Sequence, residues 1–349
     1  MKAQMEKLVT KGMLMLPSAM RDTLLKVQPV EIAGNRLDED MAALLVLLEK
    51  SGRPALDEIG RQSGVEAARR AFRDAVRPAS EVEPPRTVVT SDLTLTGAAG
   101  PLRARLYTPD RAPLPGPLLV YFHGGGYVVG DLESHDPYLR YVAAKSVTRV
   151  LSVEYRLAPE HPYPAAAEDA VAAYADAAAR AEMLGADPAR LAIGGDSAGG
   201  TLALVAALAG ATGPRPPAAL WLINPAADKV EGYPSATLYG GGFLLTQSLM
   251  DWFMDQYFPD KARMVEPMAS PMRSDELGRL PRTFVTAGRF DPLSDQVPAL
   301  AEKLKAAGVP VEARMEPGLV HNFNQLIAFI PAARRATDSA CEWLRFALG

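Results

Sequence analysis

The sequence predicts an α/β fold built on a doubly wound, mostly parallel sheet with helices on both faces. Short apolar runs alternate with longer segments of helical periodicity from residue 86 onward, which is the pattern of repeated β-α units. Two runs, residues 118–122 and 149–153, are apolar almost throughout, as central parallel strands are when both sheet faces are covered. A third run, residues 191–193, leads through a glycine-rich turn into an apolar helix.

The remaining elements continue this alternation in chain order. Residues 86–90 and 102–107 alternate apolar and polar side chains, which favours an antiparallel pair at one edge of the sheet. Further strands are expected at residues 218–223, 283–286 and 309–314. Further helices are expected at residues 165–184, 294–307 and 332–348.

The first 85 residues have a different character and predict helices rather than strands. Residues 41–48 are apolar at nearly every position, and residues 65–76 form an amphipathic pattern with arginines on one side. Asp38 or Asp40 is suited to cap the first of these helices. Two interpretations stay open for this region: a plain helical extension packed on the core, or a cap that faces a substrate.

Pro84-Pro85 marks a boundary between these two parts of the chain. We therefore predict an N-terminal helical cap region at 1–85 and an α/β domain at 86–349. The span at about 228–275 is longer than an ordinary connection and carries a helical stretch at 245–257, which indicates a cap insertion.

Composition excludes several classes of protein. The net charge of −4, with a pI near 5.7 and no lysine or arginine cluster, provides no basic surface for nucleic acid. No apolar run approaches the roughly 20 residues that span a bilayer, and the patch at 12–16 is too short for a signal peptide. The single cysteine, Cys341, excludes an intrachain disulfide and fits a reducing compartment. We expect a cytoplasmic protein without nucleic-acid partners or stable membrane insertion.

The turn after the apolar run at residues 191–193 contains the pattern Gly-x-Ser-x-Gly, centred on Ser197. A serine in a tight strand–turn–helix connection is a nucleophile elbow, which exposes the hydroxyl at the carboxyl end of the strand. Glycines at 195 and 199 suit this turn because neighbouring backbone leaves no room for side chains. The pattern alone also fits a glycine-rich loop with an ordinary serine.

Polar residues follow the other predicted strands at the same edge of the sheet. The run His123-Gly-Gly-Gly126 follows residues 118–122, Asp291 follows residues 283–286, and His321 follows the last strand. The order Ser197, Asp291, His321 is the order of the catalytic triad in α/β-hydrolases. Because carboxyl ends of parallel strands share one edge, these side chains are expected to meet.

With these motifs, the chain resembles the bacterial hormone-sensitive-lipase family of esterases and lipases. The matching segments are HGGGYVVG at 123–130, SHD at 134–136, EYRLAPEHPYPA at 154–165, GDSAGG at 195–200, DPL at 291–293, and His321. The resemblance covers the chain from about residue 86 onward and implies an α/β-hydrolase fold with a helical cap. Asp295-Gln296 departs from the family, whose members usually carry Asp-Glu there.

The resemblance and the residue types together imply a Ser-His-Asp mechanism. A serine hydroxyl needs a base during attack, and His321 is that base both by elimination among four histidines and by resemblance. Asp291 would orient the imidazole. The alternatives at this point are a turn-forming Asp-Pro at 291 and Asp295 as the acid, although residue 295 would fall inside the following helix.

The same reasoning assigns an oxyanion hole to the backbone amides of Gly124, Gly125 and Ala198. A phosphate-binding loop is the competing interpretation of the glycines, but no matching nucleotide motif follows them. Asp196, beside the nucleophile, is predicted to hold the loop around Tyr155-Arg156.

The resemblance also implies a pocket-lining segment at residues 240–246. The predicted substrate contacts are Tyr127, Phe243, Leu244 and Val320.

The function that these observations predict is hydrolysis of carboxylic esters with short to medium acyl chains, without metal or other cofactor. An amidase or deacetylase acting through the same triad, and a non-catalytic small-molecule binding protein, remain the alternatives. A metal hydrolase is disfavoured because metal-ligand motifs are missing from the sequence. Members of the family it resembles often pair through the last strand and a helix, which here would be residues 309–315 and a nearby helix, so a homodimer and a monomer both stay open.

Overall fold

The computed structural model describes residues 12–14 and 16–349, and its centre is an eight-stranded sheet. Its strands are β3 Val88–Gly97, β4 Gly100–Pro109, β5 Gly116–Phe122, β6 Arg149–Val153, β7 Ala186–Asp196, β8 Ala219–Ile223, β9 Arg282–Phe290 and β10 Val311–Val320. Their order across the sheet is β10-β9-β8-β7-β5-β6-β4-β3. Every neighbouring pair from β10 to β6 is parallel, and β6, β4 and β3 pair antiparallel. The prediction of a mostly parallel sheet with an antiparallel edge is confirmed.

Helices cover both faces of this sheet. They are α1 Ser18–Leu25, α2 Glu39–Lys50, α3 Leu56–Ser63, α4 Val65–Ser80, α5 Leu132–Ser146, α6 Ala165–Ala179, α7 Ala198–Gly210, α8 Pro234–Tyr239, α9 Gln247–Tyr257, α10 Gln296–Ala306 and α11 Pro331–Ala347. Alternate residues of β5 enter different cores. Leu118 and Val120 belong to the core that α6, α7 and α10 cover, whereas Leu119 and Tyr121 belong to the core that α5 and α11 cover. This alternation is what a strand buried on both faces produces.

Helix α5 connects β5 to β6 and is an element that the sequence pattern did not predict. Its segment contains Pro137 and several polar residues, which hide the helical periodicity. The helix is nevertheless well capped, since the Asp131 carboxylate accepts from the Ser134 amide at 2.7 Å and the Ser134 hydroxyl accepts from the Asp131 amide at 2.9 Å. Burial of most of its residues in the folded protein therefore stabilises this helix, although its sequence lacks a clear helical pattern.

The N-terminal region contains a small strand pair in addition to its helices, which corrects the expectation of helices alone. Strands β1 Glu31–Ile32 and β2 Asn35–Arg36 form a two-residue antiparallel hairpin, too short to leave a periodic pattern. The Asp38 amide donates to the Gly318 carbonyl on β10 at 3.1 Å, which anchors this hairpin to the edge of the main sheet. Of the two predicted caps, Asp38 is the one at the N-terminus of α2.

The helices before residue 85 contact the insertion that follows β8. A Cβ added to Gly60 on α3 would lie 2.2 Å from Cζ2 of Trp252 on α9, so these helices touch without a spacer. The Ser248 hydroxyl also donates to the Asp57 carboxylate at 2.5 Å. Within the part of the chain that the structure describes, no helix has the length and apolarity needed to cross a membrane.

Candidate active site

Ser197 occupies the turn between β7 and α7 in a backbone conformation that side chains rarely adopt, with φ 54° and ψ −121°. Glycine is required at positions 195 and 199 because a side chain at either one would clash with neighbouring backbone atoms. A Cβ added to Gly195 would lie 2.3 Å from the Gly199 carbonyl oxygen, and one added to Gly199 would lie 2.0 Å from the Phe122 carbonyl oxygen. The strand–turn–helix geometry expected of a nucleophile elbow is present at this serine.

The structure brings Ser197, His321 and Asp291 together in one hydrogen-bonded chain. His321 Nε2 lies 2.9 Å from Ser197 Oγ, and His321 Nδ1 lies 2.7 Å from Asp291 Oδ2. Asp291 is fully buried and its other oxygen accepts from the Leu293 amide at 2.8 Å, which fixes the carboxylate. With a proton on Nδ1, the imidazole donates to Asp291 and presents an acceptor to the serine hydroxyl.

Asp295, the alternative candidate for the triad acid, binds the Ser235 amide, whereas the carboxylate bound to His321 is that of Asp291. Asp295 stands at the N-terminus of α10, and its Oδ2 accepts from the Ser235 amide at 2.8 Å, which holds the start of α8. Beside it, the amide side chain of Gln296 both donates to the Asp228 carbonyl and accepts from the Asp228 amide, each at 3.0 Å. The unusual Asp-Gln pair therefore anchors the insertion.

The prediction of Gly124 as an oxyanion donor is wrong, because its amide already donates a hydrogen bond within the protein. The Gly124 N–H donates to Asp196 Oδ1 at 3.0 Å. Within the described residues, the amides of Gly125 and Gly126 make no hydrogen bond, and the amide of Ala198 lies in the first turn of α7 without an intrahelical acceptor. Unlike the Gly124 amide, the amides of Gly125, Gly126 and Ala198 are therefore free to donate.

Asp196 also differs from its prediction: it does not hold the loop around Tyr155-Arg156, which Asp169 binds instead through the Arg156 guanidinium at 2.8 Å. The Asp196 carboxylate accepts from the Gly124 amide and, at 2.6 Å, from the Tyr121 hydroxyl. Burial alone raises the pKa of Asp196, but the interactions with His135 and Tyr121 outweigh it and hold that pKa below its usual range. An ionised Asp196 thus fixes the loop at 123–130, which we call the oxyanion loop.

The family of the chain follows from comparison with known proteins. A family model described as alpha/beta hydrolase fold matches residues 119–325, more than half of the chain. The chain belongs to this α/β-hydrolase family. The predictions of the α/β-hydrolase fold and of a hormone-sensitive-lipase-type member are confirmed.

Several proteins that are similar to this α/β-hydrolase are named as ester hydrolases. Carboxylic ester hydrolase LipN of Mycobacterium tuberculosis is 36% identical over 95% of this chain and 88% of its own length. Ethyl acetate hydrolase of Pseudomonas putida is 37% identical over 88% of this chain and 98% of its own length. Among solved structures, ester-hydrolase EH1AB1 from the Lake Arreo metagenome, complexed with a bipyridine phosphonate derivative, has a TM-score of 0.83 at 35% identity, covering 89% of this chain and 98% of that one.

The other histidines of this α/β-hydrolase lie apart from the serine hydroxyl. His123 stacks on Tyr155 with ring centroids 4.3 Å apart, and its Nδ1 donates to the Gly124 carbonyl at 2.8 Å. Burial lowers the pKa of His123 to about 4, so its ring stays neutral and braces the oxyanion loop. His135 is buried beside Asp196, and His161 is exposed.

The four predicted substrate contacts occupy different surroundings. Tyr127 stacks on Tyr257 with centroids 4.0 Å apart and is buried, as is Val320 immediately before His321. Phe243 packs against Phe290, the residue before Asp291, with centroids 5.2 Å apart. Leu244 is half-buried in the same apolar cluster. Contact of these four side chains with a substrate stays a prediction.

Two residues that contact the insertion or the oxyanion loop carried no sequence signal, the half-buried Lys229 and the buried Phe253. Lys229 Nζ donates to the Ala226 carbonyl at 3.0 Å and to the Ala269 carbonyl at 2.7 Å, which joins the two ends of the insertion. Burial lowers the pKa of Lys229 to about 7. Phe253 on α9 packs directly on the oxyanion loop, because a Cβ added to Gly126 would lie 2.2 Å from its ring. Both contacts join segments distant in sequence, so local patterns could not reveal them.

Proposed function

We propose that this α/β-hydrolase is a carboxylic ester hydrolase that forms an acyl-enzyme intermediate on Ser197. The observation that carries the proposal is the hydrogen-bonded chain from Asp291 through His321 to the serine at a nucleophile elbow. The names of its relatives supply the reaction class, since several are ester hydrolases or esterases. We further propose that the described part of the predicted cap region at 1–85 and the insertion at about 228–275 together form the cap of the site.

Acylation begins when Ser197 Oγ attacks the ester carbonyl carbon while His321 Nε2 takes the hydroxyl proton. The negative charge that develops on the carbonyl oxygen is stabilised by the amides of Gly125, Gly126 and Ala198, which are free to donate. Asp291 stabilises the imidazolium that forms and keeps the ring oriented.

Collapse of the tetrahedral intermediate breaks the bond to the alcohol, whose oxygen takes the proton from His321. Water then attacks the acyl carbonyl carbon while His321 takes its proton. Collapse of this second tetrahedral intermediate breaks the bond to Ser197 Oγ, which takes the proton back from His321, and the carboxylic acid leaves. The positive end of α7 faces the same oxygen in both half-reactions, which adds to its stabilisation.

Short to medium acyl chains are the proposed substrates. Ser197 is only 9% exposed, and Phe253 packs against Gly126 of the oxyanion loop, from which we infer a restricted space around the reacting carbonyl. The relative from Pseudomonas putida that is named for ethyl acetate hydrolysis fits this size class.

The test of this proposal is a panel of p-nitrophenyl esters from acetate to palmitate, run beside the matching p-nitroanilides. We expect turnover of the esters with an optimum at a short or medium chain, and far slower cleavage of the anilides. Turnover of anilides without esters would replace the proposal by an amidase. Saturable binding of acyl compounds without any turnover would indicate a binding protein.

A further inference from the structure

Three arginines spaced four residues apart line one side of α4 and contact the oxyanion loop and the start of α5. They are Arg69, Arg73 and Arg77. Residues four apart lie on the same face of a helix, so this spacing directs all three towards one neighbour. The sequence pattern singled out the arginine side of this helix without assigning a partner to it.

Arg69 uses all of its hydrogen-bonding capacity. A guanidinium group has five N–H donors. Those of Arg69 bind the Val128 carbonyl at 2.9 Å, the Ala158 carbonyl at 3.0 Å, both oxygens of Glu160 at 3.0 and 2.7 Å, and Glu66. The side chain is only 15% exposed. A fully bonded, largely buried guanidinium fixes its acceptors far more firmly than an exposed ion pair does.

The Val128 carbonyl belongs to the turn that orients the free oxyanion donors. The Gly125 carbonyl accepts from the amides of Val128 at 3.1 Å and Val129 at 3.0 Å, which closes the turn. Gly125 has φ +121°, and a Cβ on it would lie 2.2 Å from the Val129 carbonyl oxygen, so the turn is closely packed. A shift of Val128 would therefore rotate the peptide units that carry the Gly125 and Gly126 amides.

The second arginine fixes the far end of the same loop. Arg73 Nε donates to Asp131 Oδ2 at 2.8 Å, and its Nη2 binds the same oxygen. Asp131 caps α5, the helix into which the oxyanion loop runs. Arg77 adds a hydrogen bond of 3.1 Å to Glu133 in the first turn of α5. The loop is thus held by α4 at one end and by Asp196 at the other.

We propose that Arg69 is a positioning residue for the oxyanion hole, through which the N-terminal helical region controls the chemical step. This inference rests on the proposed ester hydrolase function. Arg69 touches no reacting atom in this account. It holds the Val128 carbonyl so that the Gly125 and Gly126 amides point at the oxygen that becomes negative in the transition state.

The test compares Arg69→Met with Arg70→Met. Arg70 lies one position along the same helix, is exposed, and makes no hydrogen bond or ion pair within residues 12–14 and 16–349. We expect R69M to lower kcat by about 30-fold with KM within about threefold, since misplaced oxyanion donors weaken transition-state binding selectively. The Ki of an acyl trifluoromethyl ketone, which forms a tetrahedral adduct, should rise in the same ratio as kcat/KM falls. R70M should match wild type.

Active-site titration and circular dichroism accompany each variant, so rates refer to folded, competent enzyme. If R69M does not fold, the pair R69K and R70K carries the comparison. The single ammonium nitrogen of a lysine cannot reproduce the planar fork through which three guanidinium nitrogens bind Val128, Ala158 and Glu160. An R69M or R69K enzyme with lowered thermal stability but unchanged kcat and Ki would overturn the positioning role. Failure of the proposed function is distinct, because it would appear as a wild type without ester turnover.

Discussion

Ser197→Ala is expected to lower kcat for p-nitrophenyl esters by about 10⁵-fold, leaving only the residual rate that binding and the oxyanion hole supply. Removal of the hydroxyl eliminates the nucleophile to which His321 Nε2 is bound at 2.9 Å. The loss should fall on kcat, with KM nearly unchanged, because the alanine side chain leaves the surrounding pocket in place. Steady-state kinetics on highly purified variant enzyme measure this directly.

Ser91→Ala is the matched control, since Ser91 is exposed on the edge strand β3. Its kinetics should equal those of the wild type. A S197A enzyme that retains more than about one hundredth of the wild-type kcat would contradict the assignment of the nucleophile.

Asp291→Asn is expected to lower kcat by about 10⁴-fold at neutral pH. The buried carboxylate accepts a hydrogen bond from His321 Nδ1 at 2.7 Å and keeps the acceptor lone pair of Nε2 directed at the serine. An asparagine can donate to Nδ1 and so favours the wrong tautomer, and it provides no charge for the imidazolium. The rate should recover partly at higher pH if hydroxide replaces the general base.

Asp295→Asn separates this role from that of the neighbouring acid. Asp295 accepts one hydrogen bond from the Ser235 amide, and an asparagine carbonyl oxygen can accept the same bond. We expect kcat within about threefold of wild type, because the bond that holds the start of α8 is kept. Equal losses in D291N and D295N would contradict Asp291 as the only triad acid.

Local chemistry explains what the sequence predicted well. Glycines two residues before and after Ser197 are needed because backbone atoms leave no room for a side chain at those positions. The turn therefore imposes a pattern that can be recognised in the sequence. Strands β5 and β6 are buried along their whole length and apolar almost throughout, because helices cover both faces of the sheet. The residues that follow those strands then meet at one edge, which brought Asp291 and His321 to the serine.

Long-range hydrogen bonds explain what the sequence could not provide. Whether the Gly124 amide is free depends on Asp196, which lies 72 residues later in the chain. The partners of Arg69 are likewise 59 and 89 residues away, and nothing in the helical pattern of α4 identifies them. Helix α5 escaped prediction because its apolar periodicity is interrupted by Pro137 and polar residues that tertiary contacts bury.

The most direct test of the central claim is covalent trapping with a p-nitrophenyl alkylphosphonate, followed by intact-mass analysis and peptide mapping. The serine hydroxyl attacks phosphorus and displaces p-nitrophenolate, so the adduct mimics the tetrahedral intermediate. We expect one adduct per chain, located on Ser197, with activity lost in proportion to labelling and no adduct on S197A. A fully active labelled enzyme, or equal labelling of S197A, would contradict it.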